Sequence, residues 1–319
     1  MVTLGLLGVL THAARVHAQA GPPEGAPEFL LPLGARAIGM GQAAVATAVG
    51  SDAVWWNPAL IARGPREVAF GITSKASPLI DADALGAVII PVQGVGAVAI
   101  SARYINYGAQ EAAGGDPNSP SGTFVSTATV IAATFAAPFG DRFSFGFTAK
   151  LLSYGFSCSG SCNQAGGLPQ TSALDLGAHY FLSRDSTFSV GVAIRNVGFN
   201  LQVHDAPQSD PLPARADVGI SYAPKIADLP KEARLRTGAD VLARVKDGDA
   251  LGYRFGAELS WIERYQARVG YVVNGPTASG ATFGVGFNTG KLQIDFSQML
   301  SDLGSQGSRP TFVTLGYRF

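Results

Sequence analysis

The chain has 319 residues, 47% hydrophobic and only 14% charged, with 23 Lys and Arg against 23 Asp and Glu. Soluble domains carry roughly 25% charged residues, so this composition points to a membrane protein or a very large core, and the balanced charge leaves no electrostatic footprint for nucleic acid. Forty glycines argue against a helical membrane protein and suit a β protein with tight turns and crowded strand positions.

Residues 1–20 read as a secretory signal. Leu4–Leu10 is a short apolar run, and Ala18-Gln19-Ala20 before Gly21 is a small-x-small cleavage site, placing the cut near Ala20. No Lys or Arg precedes the run, which departs from the usual signal pattern, and no Cys follows the cut to carry a lipid anchor.

Residues 21–65 lack strand periodicity and are expected to form an N-terminal plug or hatch inside a barrel of residues 66–319. Gly39 and Gly41 allow a close backbone approach or positive φ. Ser51 or Asp52 is placed to cap a short helix running through Trp56, which Pro58 ends by driving Asn57 out of the α region. Trp55 and Trp56 offer a large apolar area to anchor the segment. The run Gly34-Ala35-Arg36-Ala37-Ile38-Gly39-Met40-Gly41-Gln42-Ala43, followed by Asp52, Trp55, Trp56 and Asn57-Pro58-Ala59, resembles the N-terminal region of FadL-type hydrophobe transporters and PorV/PorQ-like outer-membrane proteins. There a GARAxGMGGA stretch precedes an acidic residue, an aromatic and Asn-Pro-Ala. Gln42 stands where that pattern has its third Gly, and no Gly follows Ala59. The resemblance implies a lumen-filling hatch.

From residue 66 onward, period-2 alternation between turn signals predicts about fourteen strands, hence an all-β transmembrane antiparallel barrel. Their starts fall near Glu67, Ala84, Val95, Phe124, Phe143, Ser172, Phe188, Arg215, Ala233, Gly252, Tyr265, Thr282, Leu292 and Thr311. The longest apolar stretch, Ala84–Ile100, contains Pro91, Gln93, Gly94 and Gly96, so it reads as a hairpin turning at Gln93-Gly94 and not as a spanning helix. One face of each strand is nearly free of charge: Phe143, Phe145, Phe147 and Leu151 oppose Ser144, Thr148 and Lys150. Connections alternate in length, with expected outer loops including Gly108–Gly122, Gly155–Thr171 and Gly198–Ala214, against short turns such as Phe139-Gly140-Asp141. That asymmetry and the small residues on the charged face (Gly252, Gly256, Gly284, Gly286) favour lipid outside and a filled lumen inside. The last strand ends on Tyr317 and Phe319, which resembles the barrel-assembly signal of outer-membrane proteins. The expected location is therefore the outer membrane of a Gram-negative-type bacterium, with its lipid and the barrel-assembly machinery as partners.

Strand parity puts Arg103, Lys150, Arg195, Arg236, Arg254 and Arg268 in the lumen beside Asp175, Asp217, Asp240, Glu258 and Asp295. Most of these charges should pair and brace the barrel. Arg236 or Arg254 is placed to meet Asp217, Asp240 and Glu258. Any unpaired cation, with Arg103 and Lys150 as candidates and Arg195 beside them, suits the carboxylate of an amphipathic ligand. The apolar residues Phe156, Phe199 and Leu201 are candidates for ligand capture in the outer loops. Cys158 and Cys162, the chain's two cysteines, are expected to close a small loop by a disulfide, as suits an oxidising compartment. His179 is lumenal by parity and His204 lies in a loop, with no recognisable nucleophile partner, so no enzyme activity, metal or cofactor is expected. Two functions remain. One is passive uptake of hydrophobic or amphipathic small molecules. The other, implied by the PorV resemblance, is a barrel that holds secreted proteins in type IX secretion; the Gly-, Ser- and Pro-rich loops tilt the sequence reading toward the first.

Overall fold

The computed structural model describes residues 24–74, 80–112, 122–160, 169–202, 209–246, 251–275, 279–300 and 309–319. The expected signal peptide lies outside the described residues. The strands are β1 (Glu67–Ser74), β2 (Ala82–Val92), β3 (Gly96–Ala112), β4 (Gly122–Phe139), β5 (Phe143–Gly160), β6 (Gln170–Phe181), β7 (Phe188–Gly198), β8 (Leu201–Gln202), β9 (Ser209–Asp210), β10 (Arg215–Tyr222), β11 (Ala233–Arg244), β12 (Gly252–Trp261), β13 (Tyr265–Val273), β14 (Gly280–Asn288), β15 (Leu292–Met299) and β16 (Thr311–Arg318). All but β8 and β9 form one closed barrel of fourteen antiparallel strands, with β7 paired to β10 and β16 closing on β1 from Glu67↔Arg318 to Ser74↔Thr311. Closure leaves no strand edge unpaired, which is the condition for a sheet to stand in hydrocarbon.

Alternation sets the two surfaces. In β1 the even positions Val68, Phe70 and Ile72 are exposed while their neighbours are buried. In β5 the outward residues are Phe143, Phe145, Phe147 and Leu151, with Ser144, Thr148 and Lys150 buried within. The turns at the end that carries Glu67 and Arg318 are mostly short, as at 93–95, 140–142, 262–264 and 289–291, with longer links at 182–187 and 223–232. Gln93-Gly94 does form a turn, with Gly94 at φ 74 and Val95 N donating to Val92 O at 3.0 Å.

Two expected loops are partly strand. β3, β4 and β5 run past Gly108 and Gly155, far beyond the roughly 9–11 tilted residues that cross a bilayer. Gly108 does not begin a loop. It sits at φ 72 in a register shift between Asn106 and Ala109, a bulge that absorbs one turn-like residue and lets the ladder resume. Phe124 and Phe156, stacked at 5.4 Å across β4 and β5, hold the extension together. The expected loop Gly198–Ala214 likewise contains the small antiparallel pair β8–β9.

Residues 24–65 lie within the barrel, almost wholly buried. They form a 3-10 turn (Pro27–Leu30), α1 (Ala35–Gly39), α2 (Ser51–Trp56) and a second 3-10 turn (Pro58–Arg63). A band of inward-facing wall glycines receives this inner segment, Gly146 paired with Gly177, Gly191 with Gly219, and Gly238 with Gly256 and then Gly270. A Cβ at Gly256 would stand 2.1 Å from the Met40 carbonyl, at Gly270 2.0 Å from Gly41 N, at Gly191 2.2 Å from the Val45 carbonyl. The wall is stripped of side chains where the backbone of the segment touches it.

Candidate functional site: the lumen

The inner segment is fixed by polar contacts from strands all around the wall. α2 is bounded as the sequence suggests at its C-terminal end, where Asn57 is extended (φ -157) before Pro58. Its N-terminal end differs from expectation. Gly50 is the N-cap residue and makes no side-chain cap; the Ser51 amide is instead satisfied by Glu67 of β1 at 2.9 Å. Asp52 turns away from its own helix to accept from Ala37 N at 2.9 Å, tying α2 to α1. Asn57, fully buried, donates to the carbonyls of Val45 and Ala178 at 2.8 and 3.1 Å and accepts from Ala59 N. Gly41 is at φ 61, and Gln42, which replaces a Gly of the motif, is at φ 60. A non-Gly residue thus occupies the left-handed region there, a conformation that glycine adopts at less cost.

The lumenal charges pair almost completely. Arg103 is bidentate to Asp83 at 2.8 and 2.5 Å and also donates to the Glu28 carbonyl. Lys150 meets Asp175 and Asn196, both at 2.6 Å. Neither is therefore the free cation that the sequence reading allowed. Asp217 binds Arg195 at 2.9 Å and Arg254 at 3.1 Å. Asp240 accepts the amides of Ala44 and Val45 at 2.8 and 3.0 Å, so it serves the inner segment and leaves Arg254 to Asp217. Glu258 takes Arg36 at 2.9 Å and Arg268 at 2.6 Å, and Arg268 also reaches Asp295. Among the described residues Arg236 alone of the six expected lumenal cations has no hydrogen bond or ion pair. Deleting one member of such a buried pair leaves an uncompensated charge, at a cost of about 3–5 kcal/mol.

At the end away from Glu67 and Arg318, Arg103, Lys150 and Arg195 do converge, around a cavity of about 30 Å³ with Phe29, Trp55 and Trp56. The Lys150 ammonium lies 5.1 Å from the Phe29 ring, and Arg195 and Arg254 lie 5.1 and 5.0 Å from the Trp56 ring. Trp56 also donates to the Leu33 carbonyl at 3.0 Å. A space of this size suits a water or two and is far below the roughly 300 Å³ where organic-ligand pockets begin. At the opposite end a larger cavity of about 290 Å³ opens among Arg36, Asp52, Glu67, Arg236 and Glu258.

The proposed capture residues separate. Phe199 is exposed, Leu201 is buried against Gly25 of the inner segment, and Phe156 stands in β5 and not in a loop. Cys158 is disulfide-bonded, while Cys162, the expected partner, lies outside the described residues, as does His204. His179 points inward, edge-on to Phe181 at 4.7 Å. Tyr317 and Phe319 stack outside the barrel, with Arg66 5.5 Å from the Phe319 ring.

Three acidic residues, buried or partly buried, lie beyond the reach of strand parity. Asp83 fell before the expected start of its strand at Ala84, whereas β2 begins at Ala82. Glu24 and Glu28 sit in an aperiodic, Pro-rich stretch where parity assigns no face. Glu24 bridges Arg215 and Arg244 at 2.8 and 2.9 Å, and Glu28 accepts from the hydroxyls of Tyr107 and Tyr154. Burial works to raise the Glu24 carboxyl, but the two guanidinium partners outweigh it and hold it below the usual range.

Fold and lumen together define an outer-membrane β-barrel with its own N-terminal segment folded into the bore. Solved structures similar to this fold include the toluene transporter TodX of Pseudomonas putida (TM-score 0.59, 11% identity, 91% of this chain and 99% of that one). The Ralstonia pickettii toluene transporter TbuX is similar (0.56, 13%, 91% and 99%), as is a Pseudomonas aeruginosa FadL homologue (0.51, 11%, 91% and 99%). At such identities the likeness concerns the fold. No curated protein matches the sequence. A family model described as type IX secretion system protein PorV matches residues 19–236. The chain belongs to that family.

Proposed function

We propose that the protein is a partner-binding barrel that serves type IX protein secretion or surface attachment. The observation that carries this reading is the fit of the inner segment. Its backbone is seated on a band of wall glycines and locked by paired charges, with only about 30 Å³ of space above it, so the barrel acts as a rigid platform. With the C-terminus and the short turns in the periplasm, β3, β4 and β5 extend the platform beyond the outer leaflet. Membership of the PorV family supports the same role. Deleting the gene should leave exported proteins in the periplasm, and the tagged barrel should co-purify with them from wild-type membranes. Normal surface delivery in the deletion strain would end this reading.

A second reading, passive uptake of hydrophobic or amphipathic small molecules, is favoured by an apolar groove on the lipid face. It spans β10 to β13, is lined by Tyr222, Phe255, Val269 and Tyr271 and is floored by Gly238, Gly256 and Gly270. Under that reading, displacement of the inner segment exposes a lateral way out through a wall only backbone thick. Unchanged uptake of a hydrocarbon by intact cells lacking the protein would eliminate it.

A further inference from the structure

Arg236 faces inward from β11 directly opposite Glu258 of β12, the position from which a cross-strand ion pair would form. No such pair forms, and the three hydrogen bonds that Glu258 accepts come from other guanidinium groups. Arg36 takes both its oxygens, Nε to Oε2 at 2.9 Å and Nη2 to Oε1 at 3.0 Å, and Arg268 Nε adds to Oε2 at 2.6 Å. β10 ends at Tyr222, opposite Thr237, so no residue of that strand lies across from Arg236 on the other side. The guanidinium lines the 290 Å³ cavity that opens at the end carrying the barrel's termini.

The other charges of that cavity account for one another. Arg36 and Arg268 share Glu258, Arg268 also takes Asp295, Arg318 meets Glu67 at 3.2 Å, and Arg234 meets Glu263 at 3.2 Å. Asp52 makes no ion pair; its Oδ2 is taken by the Ala37 amide. Among the described residues, the Arg236 guanidinium is left without a hydrogen-bonded acceptor, on the wall of an open concavity. Carboxylate and phosphate oxygens match the planar fork of such a group, two N–H bonds at a time.

We infer that the cavity around Arg236 is a binding site for a small oxyanion, a carboxylate or phosphate entering from the periplasmic side. The site is distinct from the docking face and from the lipid-facing groove, and it stands whichever of the two proposed functions holds. Its modest volume and the many charged side chains that line it suit a small solute better than a lipid.

The test uses the purified full-length barrel in detergent, titrated calorimetrically with inorganic phosphate and, separately, with succinate. Saturable binding of one or both is expected, and which probe binds distinguishes the two sources of the oxyanion. Arg236→Gln should weaken that binding by about tenfold or more, the loss of one charge-assisted bidentate contact. Arg234→Gln, which removes an exposed and already paired cation, should leave it within about twofold. Absence of saturable binding for both probes, or an Arg236→Gln protein that binds as well as wild type, overturns the inference. If Arg236→Gln does not fold, phenylglyoxal labelling of wild-type Arg236, read by mass spectrometry, decides. Protection by the saturating probe supports the site, and labelling unchanged by it refutes it.

Discussion

Asp52 shows how much one carboxyl can govern. It is buried in α2 with an amide as its partner, and burial lifts its pKa to about 7, the Ala37 hydrogen bond only partly opposing. The folded protein therefore keeps a proton that the unfolded chain, with its carboxyl near 3.8, has already released. Between about pH 4 and 7 stability must fall as pH rises, by up to about 1.4 kcal/mol per unit, and above that window this contribution is level. Asp52→Asn should remove this slope, so that thermal midpoints of variant and wild type, compared from pH 5 to 8, diverge progressively. Parallel profiles would mean that Asp52 does not titrate there. At the same scale, Gly270→Ala places a methyl 2.0 Å from Gly41 N and should destabilise by about 1–3 kcal/mol through overpacking, whereas Gly86→Ala meets nothing within 4 Å and should stay within about 0.5 kcal/mol. Denaturant unfolding of the two variants separates these outcomes.

Elements were legible where their pattern is local. The starts of β1, β5, β7, β10, β11, β12, β13, β15 and β16 coincide with those expected, because outward Phe, Val, Leu and Tyr alternate with inward polar residues up to a turn signal. β3 to β5 were read too short because Gly108 and Gly155 look like turn residues; the first occupies a bulge and the second lies mid-strand against Thr127. The cap of α2 was misassigned for a different reason. A short helix in isolation must cap itself, but here a strand residue, Glu67, supplies the acceptor from the adjacent wall. Glu67→Gln should weaken that cap and the Arg318 contact together. Hydrogen exchange should then rise at Ser51 and its neighbours while the amides of β4 and β5 keep their protection. Uniformly raised exchange would show instead that the barrel as a whole had loosened.

For the whole molecule, closure, strand number and the sign of the two faces followed from sequence, since each is a sum over many weakly informative positions. Which charges pair did not follow. Parity places Arg236 and Glu258 face to face, yet Glu258 is consumed by Arg36 from the inner segment and by Arg268 from the next strand, relations that no strand pattern contains. The folded chain should migrate faster unboiled than boiled in gels, and in planar bilayers it should conduct little. Deleting residues 34–58 from a protein that retains this heat-modifiable migration should open a steady conductance. Equal conductance before and after deletion would show that the segment does not occlude the bore.

The glycine band also constrains the order of events in time. A segment whose backbone touches the wall at Gly146, Gly191, Gly256 and Gly270 has little clearance for threading into a finished cylinder. It is expected to be in place already when the first and last strands meet. The seam is where this is enforced, for Glu67 holds Ser51 of the segment with one oxygen and Arg318 of the closing strand with the other. The expected biogenesis is then a wrapping, in which the last hydrogen-bond ladder to form is zipped over contents that arrived first.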